Sequence, residues 1–209
     1  EINLFAERMR RMFGMLNELL HTTNENDFNK LFSRIEKYEN ISDNMELEIA
    51  NYLNMVSEGR LSSESKLEIR GMLREVTEIE SIGDSCYNLA RTINRKRSGG
   101  SDFTEKQYEH IHQMMQLTDD ALAHMIAIVE DDHHVVDVNK SFNIENEINN
   151  YRAQLKNQNV VDVNNKEYDY QMGVHYMDII GECEKLGDYV VNVVEARTNV
   201  KEKKTGDNR

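Results

Sequence analysis

The sequence predicts an all-α protein made of two tandem three-helix bundles, with six long antiparallel helices. Three observations predict this fold. Apolar residues recur at helical spacing along nearly the whole chain. None of the 209 residues is Pro, so no residue forces a helix to kink. The strings "EIESIGDSCYNLA" from Glu78 and "ECEKLGDYVVNVV" from Glu182 repeat the pattern Glu-x-x-Gly-Asp, which indicates a duplicated unit.

The first three helices are predicted from apolar periodicity and from the residues that end or cap them. The expected ranges are 2–21, 26–57 and 64–97. Gly59 ends the second helix, and Ser62 or Ser63 caps the third. The third helix stops at Gly99 and Gly100, the one Gly-Gly pair of the chain. That pair marks the boundary between an N-terminal unit, 1–100, and a C-terminal unit, 101–209.

The second unit repeats this order. Its helices are expected at 103–131, 139–158 and 166–199, and a polar tail, "KEKKTGDNR", follows them. The acidic and histidine-rich string "EDDHHVVD" from Glu130 is interpreted as a charged loop between the fourth and fifth helices. Long helices joined by short turns are typical of a bundle.

Composition excludes several classes of function. The chain has 25 basic and 38 acidic residues, a net charge of −13, which repels nucleic acid and attracts cations. No apolar run reaches the roughly 20 residues that span a bilayer, and no signal peptide is visible. Cys86 and Cys183 fall on apolar stripes and are expected to be buried free thiols in a reducing compartment.

The repeated acids lie at the edge of an apolar stripe. On a helical wheel centred on Val76, Glu80 falls near about 40° and Asp84 near about 80°. Glu184 and Asp188 take the same positions in the sixth helix. By contrast, Glu75 and Glu78 are expected on the solvated side of the third helix.

Paired carboxylates in this position repel each other and lose hydration, so they need an arginine, a shared proton or a metal cation. Further oxygen ligands come from the second helix, as Glu39 and Asp43, and from the fifth, as Glu145 and Asn149. Facing helices that offer hard oxygen ligands suit Mg²⁺, Ca²⁺, Mn²⁺ or iron. Gly83 and Gly187, inside the repeats, indicate close approach of a neighbouring helix or of a ligand.

The strings "RIEKYENISDNMELEIANYL", "EIESIGDSCYNLARTI" and "ECEKLGDYVVNVVEA" resemble the PhoU family over nearly the whole chain. The resemblance implies multinuclear metal binding, with iron the first candidate and Mn, Mg, Ca or Zn as alternatives. Its implied ligands are Glu39, Asp43, Glu80 and Asp84 in one site, and Glu145, Glu184 and Asp188 in the other. Asn149 departs from the family pattern and weakens the second site.

The resemblance also implies a regulator of phosphate uptake that is not an enzyme. The expected form is the cytoplasmic domain of a sodium-dependent phosphate cotransporter, at the inner face of the cell membrane; a stand-alone PhoU regulator is the alternative. The implied partners are a membrane-embedded phosphate transporter portion, in the same chain or a separate one, and a sensor kinase. Homodimerisation stays open, and nucleic acid is not a partner.

Two hypotheses from other classes of function stay open. Glu109 and His112 form one Glu-x-x-His motif, which fits a ferritin-like carboxylate di-metal enzyme if a second such motif faces it. The bundle could also act purely as an interaction module, with the repeated acids paired to Arg70, Arg91 or Arg197. The remaining histidines His21, His110, His124 and His175 are expected to be isolated and structural.

Overall fold

A computed structural model describes residues 1–131 and 135–199, and these ranges form six α-helices. The helices are α1 (Ile2–His21), α2 (Glu25–Ser57), α3 (Ser63–Ser98), α4 (Glu105–Val129), α5 (Asn139–Asn164) and α6 (Tyr170–Thr198). The all-α prediction is therefore confirmed. The bounds agree within a few residues, except that α5 continues to Asn164 rather than ending near 158. The polar tail and residues 132–134 of the acidic string lie outside the described residues.

Side-chain caps explain where four of the helices begin. Asn24, Ser62, Thr104 and Asp169 each accept a hydrogen bond from a backbone N–H in the first turn of the helix that follows. Thr104 and Gln107 cap each other reciprocally at the start of α4. Such caps satisfy backbone donors that would otherwise be unpaired, so the helix starts are fixed locally by sequence.

The six helices pack as two groups of three. Helices α1, α2 and α3 contact one another, α6 contacts both α4 and α5, and α4 contacts α5. The two groups meet along α3 with α6 and along α1 with α4. The core runs through both groups, and its largest side chains with no exposed surface include Phe5, Met9, Leu89 and Met114. Tandem three-helix bundles joined side by side are the architecture that the sequence predicts.

The contact between the two bundles corrects one prediction. Glu75, expected on a solvated face, is only 1 % exposed because α6 covers that side of α3. An Arg197 guanidinium nitrogen lies 4.0 Å from its Oε2. Glu78 is half-buried and accepts a hydrogen bond from Asn192 Nδ2 at 3.0 Å. Helix α3 thus has two buried faces, while a single apolar stripe on a wheel reveals only the stronger one.

Cys86 and Cys183 are both buried and free, as predicted. Within the described residues, no helix combines the length and the apolar character that a membrane crossing requires.

Candidate metal centre

The repeated acids of the first bundle lie along the contact between α2 and α3. The two helices are antiparallel, and two hydrogen bonds fix their register. Tyr87 Oη donates to Glu36 Oε1 at 3.1 Å, and Thr77 Oγ1 donates to Glu46 Oε1 at 3.0 Å. Between these bonds the same register brings Glu39 and Asp43 of α2 opposite Asp84 and Glu80 of α3.

Three of these carboxylates converge closely. Glu39, Asp43 and Asp84 each offer one oxygen, and these oxygens all lie within 4.8 Å of one another. In the described part of the chain this is the one such group of three or more His, Cys, Asp or Glu side chains. Glu80 and Glu46 adjoin it, so five acids form what we call the α2–α3 acidic cluster. None of the five forms an ion pair within the described residues.

The electrostatics of the α2–α3 acidic cluster show an uncompensated charge. Burial, followed by the charges of Asp84 and Glu46, raises the pKa of Glu80 to about 7. Burial also raises the pKa of Glu39, followed in effect by the charges of Asp43 and Asp84. Without a metal, the carboxylates of the cluster therefore share a proton at neutral pH or are only partly ionised.

The donor set fits a metal ion. Every group in the cluster is a carboxylate oxygen, which hard divalent and trivalent cations prefer. The oxygens are spaced so that a small closure of the side chains would bring them to a common ion. The cation would also remove the repulsion that raises the pKa of Glu80. Glu39, Asp43, Glu80 and Asp84 are thus brought together as the sequence predicts.

Gly83 allows α2 and α3 to approach closely beside this cluster. A Cβ at Gly83 would lie 2.9 Å from both Met9 Sδ and Ser42 Oγ. In the second bundle, a Cβ at Gly187 would lie 3.2 Å from Ile148 Cδ1. Both contacts are with packed side chains, so tight helix packing is the reason for glycine at these positions.

The two glycine contacts also align the two bundles. Ser42 lies under Gly83 as Ile148 lies under Gly187, so α2 and α5 occupy equivalent places. In that alignment Glu39 matches Glu145 and Asp43 matches Asn149. Glu46, the outer acid of the first cluster, matches Arg152.

The second set of predicted ligands has a different charge balance. Arg152 Nε lies 3.6 Å from Glu184 Oε2, and Asn149 Nδ2 donates a hydrogen bond to Glu145 Oε1. Glu145 is buried, whereas Asp188 is exposed. Three acids and one arginine therefore stand where the first bundle has five acids. The compensating arginine is Arg152, rather than the Arg70, Arg91 or Arg197 expected from sequence.

The Glu-x-x-His motif lies on the exposed surface of α4. Glu109 and His112 are both exposed, so they do not point into the core of a bundle as a ferritin-like centre requires. His112 instead faces His21, with the two Nε2 atoms 2.5 Å apart. The expectation that His21 is isolated was therefore wrong. His110 contacts Tyr176 Oη at 2.8 Å, and His124 contacts the Asp137 carbonyl at 2.8 Å, both in structural roles.

Sequence reasoning did not assign Glu46 to the first site, and it missed Arg152 in the second. The signal for both was present, because the internal duplication pairs position 46 with position 152. The same comparison pairs Glu75 with Ile179, an apolar residue, which indicates that position 75 is buried.

The fold and the site together define a class of protein: two three-helix bundles in tandem, with paired acids on adjacent helices. The PhoU domain family matches residues 2–93 and 111–196, so the chain belongs to the PhoU domain family. A comparison with curated protein sequences finds no match.

Two solved structures share the fold. PhoU from Pseudomonas aeruginosa superposes with a TM-score of 0.82 at 13 % identity, over 94 % of this chain and 91 % of that one. The phosphate transport system regulatory protein PhoU from Streptococcus pneumoniae superposes with a TM-score of 0.66 at 17 % identity, over 94 % of this chain and 95 % of that one. These likenesses support the six-helix fold.

Proposed function

We propose that this chain is a PhoU-type regulator of phosphate uptake that binds multivalent metal ions at the α2–α3 acidic cluster. The family supports the regulatory role, and one of the superposed structures is named as a phosphate transport system regulatory protein. The observation that carries the metal-binding role is the convergence of Glu39, Asp43 and Asp84 within 4.8 Å. The protein is proposed to act by binding partners, without catalysing a reaction.

Glu39, Asp43, Glu80 and Asp84 would hold the metal, with iron as the first candidate and Mn, Mg, Ca or Zn as alternatives. Bound metal supplies positive charge that neutralises the cluster and ties α2 to α3. Oxygen ligands from two helices would make the spacing of those helices depend on metal occupancy. Because α3 also packs on α6, a change in that spacing would reach the second bundle.

The second predicted site, Glu145, Glu184 and Asp188, is proposed to bind metal more weakly. Arg152 already places a positive charge 3.6 Å from Glu184. A cation entering there would have to displace that guanidinium or be repelled by it. The two bundles would then differ in metal content despite their common fold.

The proposed partners are the membrane-embedded portion of a phosphate transporter, in the same chain or a separate one, and a sensor kinase. The corresponding location is the cytoplasmic face of the cell membrane. We favour the cytoplasmic domain of a sodium-dependent phosphate cotransporter, with a stand-alone regulator as the alternative. Phosphate uptake in a bacterium deleted for its own PhoU, with and without this chain, tests the regulatory role.

Metal content tests the site itself. Purified protein is loaded with iron or manganese, desalted, and analysed by inductively coupled plasma mass spectrometry. We expect bound metal in the unmodified protein and a several-fold loss in the double variant Glu80→Gln/Asp84→Asn. The matched control is Glu64→Gln/Glu68→Gln, which removes two exposed acids with the same spacing from the same helix. Absence of metal before and after loading, or equal loss in the control, would contradict the proposal.

A further inference from the structure

His21 and His112 form a second group of potential metal ligands, outside the α2–α3 acidic cluster. His21 is the last residue of α1, and His112 lies on α4, so each imidazole comes from a different bundle. Their Nε2 atoms approach to 2.5 Å. Both side chains are exposed, which leaves the two nitrogens open to an ion from solvent.

Contacts nearby fix the two helices that carry these histidines. Arg97 donates to the Thr22 and Thr23 carbonyls at 2.7 Å each, which fixes the chain just after His21. Arg10 of α1 forms two hydrogen bonds of 2.9 Å with Asp119 of α4, which fixes the pairing of these helices. The convergence of the rings thus follows from the packing of α1 on α4 and from two independent anchors.

The geometry suits a borderline transition metal. Tetrahedral Zn²⁺ with Zn–N bonds of about 2.0–2.1 Å places two ligand nitrogens about 3.3 Å apart. The exposed rings of His21 and His112 need to separate by only about 1 Å to reach that spacing. Imidazole favours Zn²⁺, Cu²⁺ and Ni²⁺, whereas the carboxylates of the acidic cluster favour harder ions.

An open pocket lies beside His112. Its volume is about 430 Å³, and Asn17, Gln116 and Asp119 are among the polar residues that line it. Asp119 is occupied by Arg10, so water molecules would complete the coordination sphere. A site with two protein ligands and open positions exchanges its metal readily with solvent.

We propose that His21 and His112 bind one borderline transition-metal ion, with Zn²⁺ as the reference case, and that this ion links the first bundle to the second. The site is independent of the acidic cluster in ligand type and position. Occupancy would strengthen the contact between α1 and α4, and removal of the metal would leave a single hydrogen bond between the rings. Occupancy of this site would therefore depend on the concentration of borderline transition metals, whereas occupancy of the acidic cluster would depend on that of harder ions.

Isothermal titration calorimetry with Zn²⁺ tests the site. The protein is untagged and carries Glu80→Gln/Asp84→Asn, so that the acidic cluster does not compete for the ion. We expect one tight binding event per chain, distinct from weak binding at the second acidic site, and an increase in Tm when Zn²⁺ is bound. His21→Gln and His112→Gln should each weaken the event by about tenfold or more, since even loss of an outer-shell partner typically costs 10–100-fold. Each should also reduce the increase in Tm at a given Zn²⁺ concentration.

Two controls make the result specific. His124→Gln removes a histidine of α4 whose ring bonds only a backbone carbonyl in the described contacts. His133→Gln/His134→Gln removes the one pair of histidines that are neighbours in the sequence. Both controls should bind Zn²⁺ as the parent does. Unchanged binding in His21→Gln and His112→Gln, or loss of the event in either control, would overturn the proposal.

Discussion

Replacing Glu75 by Gln should stabilise the protein in a strongly pH-dependent way. Glu75 lies in the contact between the bundles, 1 % exposed, and its Oε1 has no hydrogen-bond partner. Burial raises the pKa of its carboxyl from 4.5 to about 7, against a lowering effect of the Arg197 charge. Gln keeps the size and shape of the side chain but cannot ionise, so the substitution removes the cost of burying a charge.

The magnitude follows from the shift in pKa. Well below pH 4.5 the carboxyl is protonated in both the folded and the unfolded chain, and ionisation carries no penalty. As the pH rises from 4.5 through about 7, only the unfolded chain ionises readily, and the folded protein progressively loses stability. At about 1.36 kcal/mol per pKa unit, the loss reaches about 3 kcal/mol above pH 7. The Gln variant escapes this loss.

Urea unfolding at a series of pH values between about 4.5 and 8 measures the effect. We expect the free energy of unfolding of Glu75→Gln, minus that of the unmodified protein, to rise by about 3 kcal/mol across this range. Taking the difference cancels the titration of Glu80 and of other groups common to both proteins. Glu68→Gln, an exposed position on the same helix, should give a flat difference. A flat difference for Glu75→Gln as well would refute the reasoning.

Two further predictions concern helix packing and the second bundle. Gly83→Ala should lower the free energy of unfolding by about 1 kcal/mol, because strain against Met9 exceeds the gain in helix propensity. Gly14→Ala, where a Cβ meets nothing within 4 Å, should raise it by up to about 1 kcal/mol in the same urea assay; equal effects would contradict the packing argument. Asn149→Asp with Arg152→Glu should about double the iron bound per chain by mass spectrometry, because it restores the acids of the first bundle. Unchanged iron content would show that Arg152 does not limit the second site.

The helices and most of their ends, α5 excepted, could be predicted because the interactions that form them are local. Ser62 caps the start of α3, and Gly99 and Gly100 follow its end. Both signals act on residues next to them in the chain, and the structure places α3 between them. The expected metal ligands of the first bundle could also be predicted as neighbours. Glu80 and Asp84 are one turn apart on α3. Because α2 packs antiparallel to α3, Glu39 and Asp43 lie beside them.

The second face of α3 could not be predicted from the wheel alone. A periodic pattern identifies the strongest apolar stripe, but Glu75 lies on another face, which only the docking of α6 buries. The balance of charge in the second bundle could not be predicted from the wheel either. Whether Arg152 meets Glu184 depends on the register between α5 and α6, which is set by packing such as that of Ile148 under Gly187.

The sequence by itself determined the helices and the edge position of the repeated acids, because both depend on residues within a turn or two of one another. It also determined the duplication, because the same pattern of residues occurs twice in the chain. The tertiary structure decided which acids gather without a counter-charge, which pair with arginine, and which histidines of distant helices meet. Those outcomes depend on how the bundles dock, and docking brings together residues such as His21 and His112 whose relation leaves no periodic trace in the chain.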